Sequence, residues 1–281
     1  MPERGDQAKC GPWRRYVPTP GRAEEFECRT IGTGPGVILL HEFPGVMPTA
    51  CRLGEHLAAE GFRVVMPMLL GPQSMPPSSR QRARAAVRLC VMREFKAFAL
   101  DAEGEITRFL RSLAEDLAAR TPGRGVGIIG MCLTGGFALA ATIDSKDLVA
   151  TVVSQPSLPV PITPARRRSV GVPAQRLHEF AESRPTGEAC VLGLRYSQDR
   201  LSPAARFASL ERHLGSAVEI FPLYSGVDSD DKPPTPASAH SVLTSRNPGR
   251  QELAARERVV EFLRGRLGSP PKGVVESVAG S

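Results

Sequence analysis

The sequence predicts an α/β protein: one domain built on a mostly parallel, doubly wound sheet flanked by helices. Two observations carry this expectation. Continuous runs of aliphatic and β-branched residues, the pattern of strands buried on both faces, alternate with segments whose apolar residues recur at helical spacing. No internal repeat and no break in composition marks a second domain across the 281 residues. Unequal spacing between the six or seven expected strands favours an open sheet over a barrel.

The elements follow in order. Gly36-Val37-Ile38-Leu39-Leu40 reads as a buried strand, broken by His41-Glu42-Phe43-Pro44-Gly45. Leu53, Leu57 and Ala58 give Thr49 to Ala59 a helical period, and Gly61 stops it. Phe62 to Pro67 is the next strand, which completes a strand–helix–strand unit with a right-handed crossover. Residues 71 to 80 read as a loop, followed by a helical stretch interrupted between Arg88 and Leu100, and then a helix from Ile106 to Ala119. Gly125 to Gly130 is a glycine-rich strand running into an alanine-rich helix from Phe137 to Ile143. Leu148 to Ser154, Ala189 to Arg195 and Val218 to Pro222 are further strands, and Pro203 to His213 is a helix. Gln155 to Gly187, rich in Pro and Arg, reads as an insertion. A long loop spans Tyr224 to Ala239, and an amphipathic helix spans Ala254 to Leu267. Residues 1–21 read as an irregular lead-in or edge strand, 22–268 as the folded domain and 269–281 as a flexible tail.

Composition narrows the function classes. Apolar residues at 41% and charged residues at 23% suit a soluble globular chain, and no apolar run reaches the length of a membrane span. The charged start lacks the apolar core of a secretory signal, so the reading is cytoplasmic, with the six cysteines reduced. The net charge of +7 raises nucleic-acid binding, but the arginines are scattered among acids and aromatics are only 5%, so no nucleic-acid partner is expected.

The residues that carry chemistry begin at Gly130-Met131-Cys132-Leu133-Thr134-Gly135. This G-x-C-x-x-G stands between a strand and a helix, as does the G-x-S-x-G nucleophile elbow of α/β-hydrolases. Small residues are needed there because the turn forces strand and helix together around a strained nucleophile. A helix starting at the cysteine also turns its amides and dipole toward the sulfur. The competing reading is a buried structural cysteine. A cysteine nucleophile needs a base and the base an orienting acid, in the chain order nucleophile, acid, histidine. Asp199 follows the strand ending at Arg195, whereas Asp228, Asp230 and Asp231 lie in the long loop. Of the histidines after Asp199, His213 sits on a helix before the last strand and His240 in the loop after it, which selects His240. Glu42, at the end of the first buried strand, could take or hold the thiol proton.

His41 to Gly45, the cysteine elbow and Ala239-His240-Ser241 together resemble the dienelactone hydrolase (carboxymethylenebutenolidase) family, over about residues 22 to 266. The resemblance implies the α/β-hydrolase fold and a carboxylic ester or lactone hydrolase. Cys132 would be acylated, His240 would act as base oriented by Asp199, and the resting thiol would be bonded to Glu42, which takes its proton when substrate binds. The backbone N–H groups of Leu133 and Phe43 would form the oxyanion hole. The expected partner is a small lactone or ester, with no cofactor and no metal, and the expected assembly is a monomer or weak homo-oligomer. Where the family places a carboxylate-binding arginine, four residues after the histidine, this chain has Thr244; Arg246, Arg93 or Arg84 could substitute. The alternatives are a catalytically silent hydrolase fold used as a binding or regulatory module, and a thiol redox sensor at Cys132.

Overall fold

The computed structural model describes residues 12–23, 25–69, 104–184, 187–226, 236 and 238–268. Among these, eight strands form one sheet in the order β1-β2-β4-β3-β5-β6-β7-β8. They are β1 (Arg14–Tyr16), β2 (Cys28–Ile31), β3 (Gly36–Leu39), β4 (Arg63–Pro67), β5 (Val126–Met131), β6 (Leu148–Ser154), β7 (Val191–Tyr196) and β8 (Val218–Leu223). From β4 through β3 to β8 every neighbouring pair is parallel, whereas β2 pairs antiparallel with both β1 and β4. This is the mostly parallel sheet that the alternation of runs predicts, and its fold is the one that the resemblance implies. The count exceeds the six or seven strands expected because β1, at the edge, and β2, between β1 and β4, are short and carry no apolar run. β1 is the edge strand that the reading of the N-terminal segment allowed.

The continuous runs are explained by two covered faces. Val37 and Leu39 point into one apolar cluster, with α1 (Pro48–Ala59) and the last helix; Ile38 and Leu40 point into the other, with α2 (Glu105–Ala118) and α3 (Gly135–Ile143). A third cluster packs Val153 and Val191 against α5 (Ala174–Glu182) and α6 (Ala204–Leu214). The segment read as an insertion therefore holds a short helix, α4 (Pro164–Arg168), and α5, whose Leu177 and Phe180 are buried. The last helix, α7 (Arg250–Leu267), starts four residues before the expected Ala254, because Glu252 caps the Gly249 N–H at 2.6 Å. No helix among the described residues is long and apolar enough to cross a membrane.

Cys28, Cys132 and Cys190 are free, but Cys51 on α1 is disulfide-bonded, so the expectation of six reduced cysteines fails at Cys51. The expected elements between residues 70 and 103, the acids at 228, 230 and 231, and the tail from 269 lie outside the described residues.

The edge is tied down by one buried carboxylate. Asp116 on α2 accepts hydrogen bonds from the Tyr16 hydroxyl at 2.6 Å, from the Thr19 N–H at 3.1 Å, and from the Thr19 hydroxyl. Arg120 adds a charged donor at 3.1 Å. Burial opposes the charge on Asp116, but the bonds from Thr19, Tyr16 and Arg120 outweigh it and hold the carboxyl below its usual range. Asp116→Ala leaves those donors without their acceptor, and is expected to lower unfolding free energy by about 2–3 kcal/mol in urea titrations. A depressed carboxylate stabilises above its unfolded pKa and loses that contribution as pH falls through the folded value. The gap between wild type and variant is therefore expected to close below about pH 4.

Candidate active site

Parallel strands deliver their following loops to one edge of the sheet, and the predicted residues meet there. Phe43 and Glu42 follow β3, Cys132 follows β5, Asp199 follows β7, and His240 lies beyond β8. β5 has β3 on one side and β6 on the other, so Cys132 stands near the middle of that edge.

The elbow has the constraint that its glycines implied. Cys132 has φ of 54°, a left-handed conformation that non-glycine residues rarely adopt and that costs about 1–3 kcal/mol. A single 3₁₀ turn, Cys132–Thr134, leads from β5 into α3. A Cβ on Gly130 would lie 2.6 Å from both the Ala138 Cβ and the Thr134 carbonyl, so only glycine lets helix and strand come this close. Thr134, in place of the usual second glycine, is buried and does a separate task. Its hydroxyl accepts the Met131 N–H at 3.0 Å and lies 2.9 Å from the Met131 carbonyl, which closes the turn.

His240 and Asp199 form the expected pair, with Nδ1 2.7 Å from Oδ2. Asp199 is itself fixed, because its Oδ1 accepts the backbone N–H groups of Leu201 at 2.9 Å and Ser202 at 3.1 Å. The other ring nitrogen, Nε2, is buried without a hydrogen-bond partner among the described residues. Burial disfavours the imidazolium, but the hydrogen bond to Asp199 and the adjacent Cys132 outweigh it, and the pKa of His240 rises to about 10. The ring is thus built to hold a proton beside the sulfur.

Glu42 lies at the same edge, but it is not the thiol's partner. Its Oε1 accepts the Gln155 amide at 2.5 Å, and its Oε2 accepts the hydroxyls of Thr244 at 2.6 Å and Ser241 at 3.1 Å. The Cys132 sulfur instead lies 3.4 Å from the Ser157 hydroxyl, and the Ser157 N–H donates to the Cys132 carbonyl at 2.9 Å. Phe43 and Cys132 pack against Leu133 and Leu158 in a small apolar cluster. Arg246 is exposed, with no contact to these groups among the described residues. Arg84 and Arg93 lie outside them.

Three side chains at the site, Gln155, Ser157 and Arg206, carried no motif, and Ser241 entered one only as a neighbour of His240, with no role of its own. Gln155 could have been found by position, since it follows β6 at the same sheet edge as the others. Arg206 is fully buried and donates to the carbonyls of Pro156, Pro159 at 2.6 Å and Arg166 at 2.9 Å. It thereby pins the strap that bears Ser157 and Leu158. Burial pulls its pKa down to about 10 against the charge of Asp199. Thr244, noted in the sequence as replacing an arginine, is a buried donor to Glu42.

The pattern of the dienelactone hydrolase family matches residues 27–222, a stretch that includes Glu42, Cys132 and Asp199 and ends before His240. Comparison with curated proteins gives no match. Among solved structures, a Klebsiella pneumoniae protein assigned as a dienelactone hydrolase is similar with a TM-score of 0.61 at 17% identity, over 89% of this chain and 97% of that one. A Pyrococcus furiosus esterase aligns with a TM-score of 0.55 at 16% identity, over 91% of this chain and 92% of its own. A dienelactone hydrolase of Anabaena variabilis gives 0.54 at 13% identity, over 91% and 99%. At such identities the likeness speaks for the fold alone.

The electrostatics of His240 can be read directly. Asp199→Asn is expected to lower the His240 pKa, since burial then faces a weaker opponent, and Cys132→Ala is expected to lower it further. Both shifts are measurable by following the imidazole nitrogens in NMR across a pH titration.

Proposed function

Because the chain belongs to the dienelactone hydrolase family, we propose that it hydrolyses small lactones or esters through an acyl-enzyme on Cys132. The observation that carries this reading is the aligned trio: a cysteine in a left-handed elbow, a buried unpartnered His240 Nε2 next to it, and Asp199 at 2.7 Å on the far side of the ring. Such a trio on the edge of a parallel sheet is how nucleophilic acyl transfer is arranged.

Each step of the reaction has a group to serve it. The thiol passes its proton to His240, and the raised pKa of the ring favours holding it there. The thiolate attacks the carbonyl carbon, and the carbonyl π electrons move to oxygen. The resulting oxyanion is held by the N–H groups of Leu133 and Phe43, which have no turn or loop partner among the described residues. Collapse breaks the C–O bond, and the leaving alkoxide takes the proton from His240. In a lactone the alkoxide remains part of the acyl group. The neutral imidazole then draws a proton from water as its oxygen attacks the thioester, and the thiolate leaves beside a restored imidazolium.

The apolar surround of Phe43, Leu133 and Leu158 suits an uncharged acyl group. Thr244 supports the same choice, since its hydroxyl is committed to Glu42 and adds no positive charge for a substrate carboxylate.

With p-nitrophenyl acetate as substrate, Cys132→Ala is expected to abolish turnover, and iodoacetamide to block the wild type. Asp199→Asn is expected to lower kcat by about 10²–10⁴, by analogy with loss of the orienting acid elsewhere. Full turnover in Cys132→Ala would rule out this nucleophile.

A further inference from the structure

Gln155 is the second described residue at this edge whose backbone is left-handed without being glycine, with φ of 33°. It is fully buried, and both ends of its amide are used. Nε2 donates to Glu42 Oε1 at 2.5 Å, and Oε1 accepts the buried Ser154 hydroxyl. A carboxylate can only accept, so the amide's orientation is dictated by Glu42. Glu42 then reaches across to Ser241 and Thr244, the residues immediately after and four after His240. Three connections, those following β3, β6 and β8, are joined through one carboxylate. No hydrogen bond among the described residues runs from Glu42 to the Cys132 sulfur, whose near hydroxyl is Ser157.

We infer that Gln155 is a positioning residue that, through Glu42, fixes the loop carrying His240, and that Glu42 serves as this tether and not as acceptor of the thiol proton. The inference rests on the Cys132–His240–Asp199 reading. The physical reasoning is that, among the described residues, His240 is held at Nδ1 by Asp199, has Cys132 beside its other nitrogen, and sits in a segment with no regular secondary structure. A ring held at one nitrogen can still swing about that bond. Anchoring its neighbours Ser241 and Thr244 to a carboxylate that is itself locked by Gln155 removes that freedom. Strain at Gln155 persists because its buried amide has no other way to meet Ser154 and Glu42 together. The charged or titratable groups nearest this tether are His41, buried and bonded through Nδ1 to the Glu42 carbonyl at 3.0 Å, and His240 itself. Burial keeps His41 below its usual pKa, so it adds little positive charge there.

The test uses the full chain and follows two readouts, turnover of p-nitrophenyl acetate and the rate at which iodoacetamide alkylates Cys132 across pH. Gln155→Leu removes the donor at similar volume. Both rates at neutral pH are expected to fall by roughly tenfold to a hundredfold, with KM little changed and the alkylation profile moved to higher pH. Gln155→Glu sets two carboxylates against each other, so its loss is expected to deepen as pH rises and to ease toward acid pH, where the pair can share a proton. Glu42→Gln is expected to leave the alkylation midpoint closer to wild type than His240→Gln does. If Gln155→Leu fails to fold, Thr244→Val breaks the same tether from its other end and is expected to behave alike. Wild-type alkylation profiles in the Gln155 and Thr244 variants would overturn the inference, even if turnover fell. So would a Glu42→Gln midpoint displaced as far as that of His240→Gln. Alkylation reads the reactivity of Cys132 whether or not ester turnover passes through it, so failure of the nucleophile reading would show separately in Cys132→Ala.

Discussion

The closeness of α3 to β5 is the constraint on which the rest of the site depends. With only hydrogen on the Gly130 Cα, the first turn of the helix can stand 2.6 Å from where a Cβ would be. That approach leaves no room for a relaxed connection, and Cys132, the first residue of the 3₁₀ turn, takes a left-handed backbone. Cys132 is therefore pushed out at the sheet edge, with the amides that open the turn directly behind it. Move the helix outward by the width of a methyl group, and the sulfur loses both its position and those amides. The neighbouring strands supply the remainder because the sheet is parallel: each crossover ends at the same edge.

Most of this was legible in the sequence because it is written in local rules. Valine and isoleucine runs mark strands covered on both faces, and alternate residues such as Leu39 and Ile38 do divide between opposite clusters. The elbow was legible because sterics permit so few residues near a tight turn. Asp199 and His240 were legible from their order along the chain, and the pair is found at 2.7 Å. What escaped depends on side-chain direction. Nothing in the sequence says that Glu42 turns toward Gln155, Ser241 and Thr244 and leaves the sulfur to Ser157. Thr134 looked like a departure from a glycine motif, yet its hydroxyl closes the turn that the motif requires. β2 escaped for a different reason: its four residues carry no apolar run and become a strand only by pairing with β1 on one side and β4 on the other.

Buried charge at the site is handled by pairing it with backbone. Asp199 faces two N–H groups and an imidazole; Arg206 faces three carbonyls and feels the charge of Asp199. An arginine taken wholly out of water needs several acceptors to offset lost hydration. Carbonyls of an irregular strap provide them only if the strap is shaped for the purpose. The dependence runs both ways. Arg206 gives the strap its shape, and the strap is what makes a buried Arg206 tolerable. Ser157 and Leu158 reach the thiol as a by-product of that mutual requirement.

Two non-glycine residues with left-handed backbone, Cys132 and Gln155, follow adjacent strands β5 and β6. Each conformation costs about 1–3 kcal/mol, a sizeable share of the 5–15 kcal/mol that holds a typical domain together. A glycine at 155 would relieve the backbone at once, so what keeps a longer residue there must lie in its side chain. The amide of Gln155 has that role: among the described residues it is the group that meets both Ser154 and Glu42, and the other donors to the Glu42 carboxylate there are the hydroxyls of Ser241 and Thr244. On the proposed reading, strain at Cys132 presents the nucleophile, whereas strain at Gln155 secures the carboxylate that steadies the loop of the proposed base. The two distortions belong to one arrangement, in which stability is spent where the sulfur and the imidazole must be held in register.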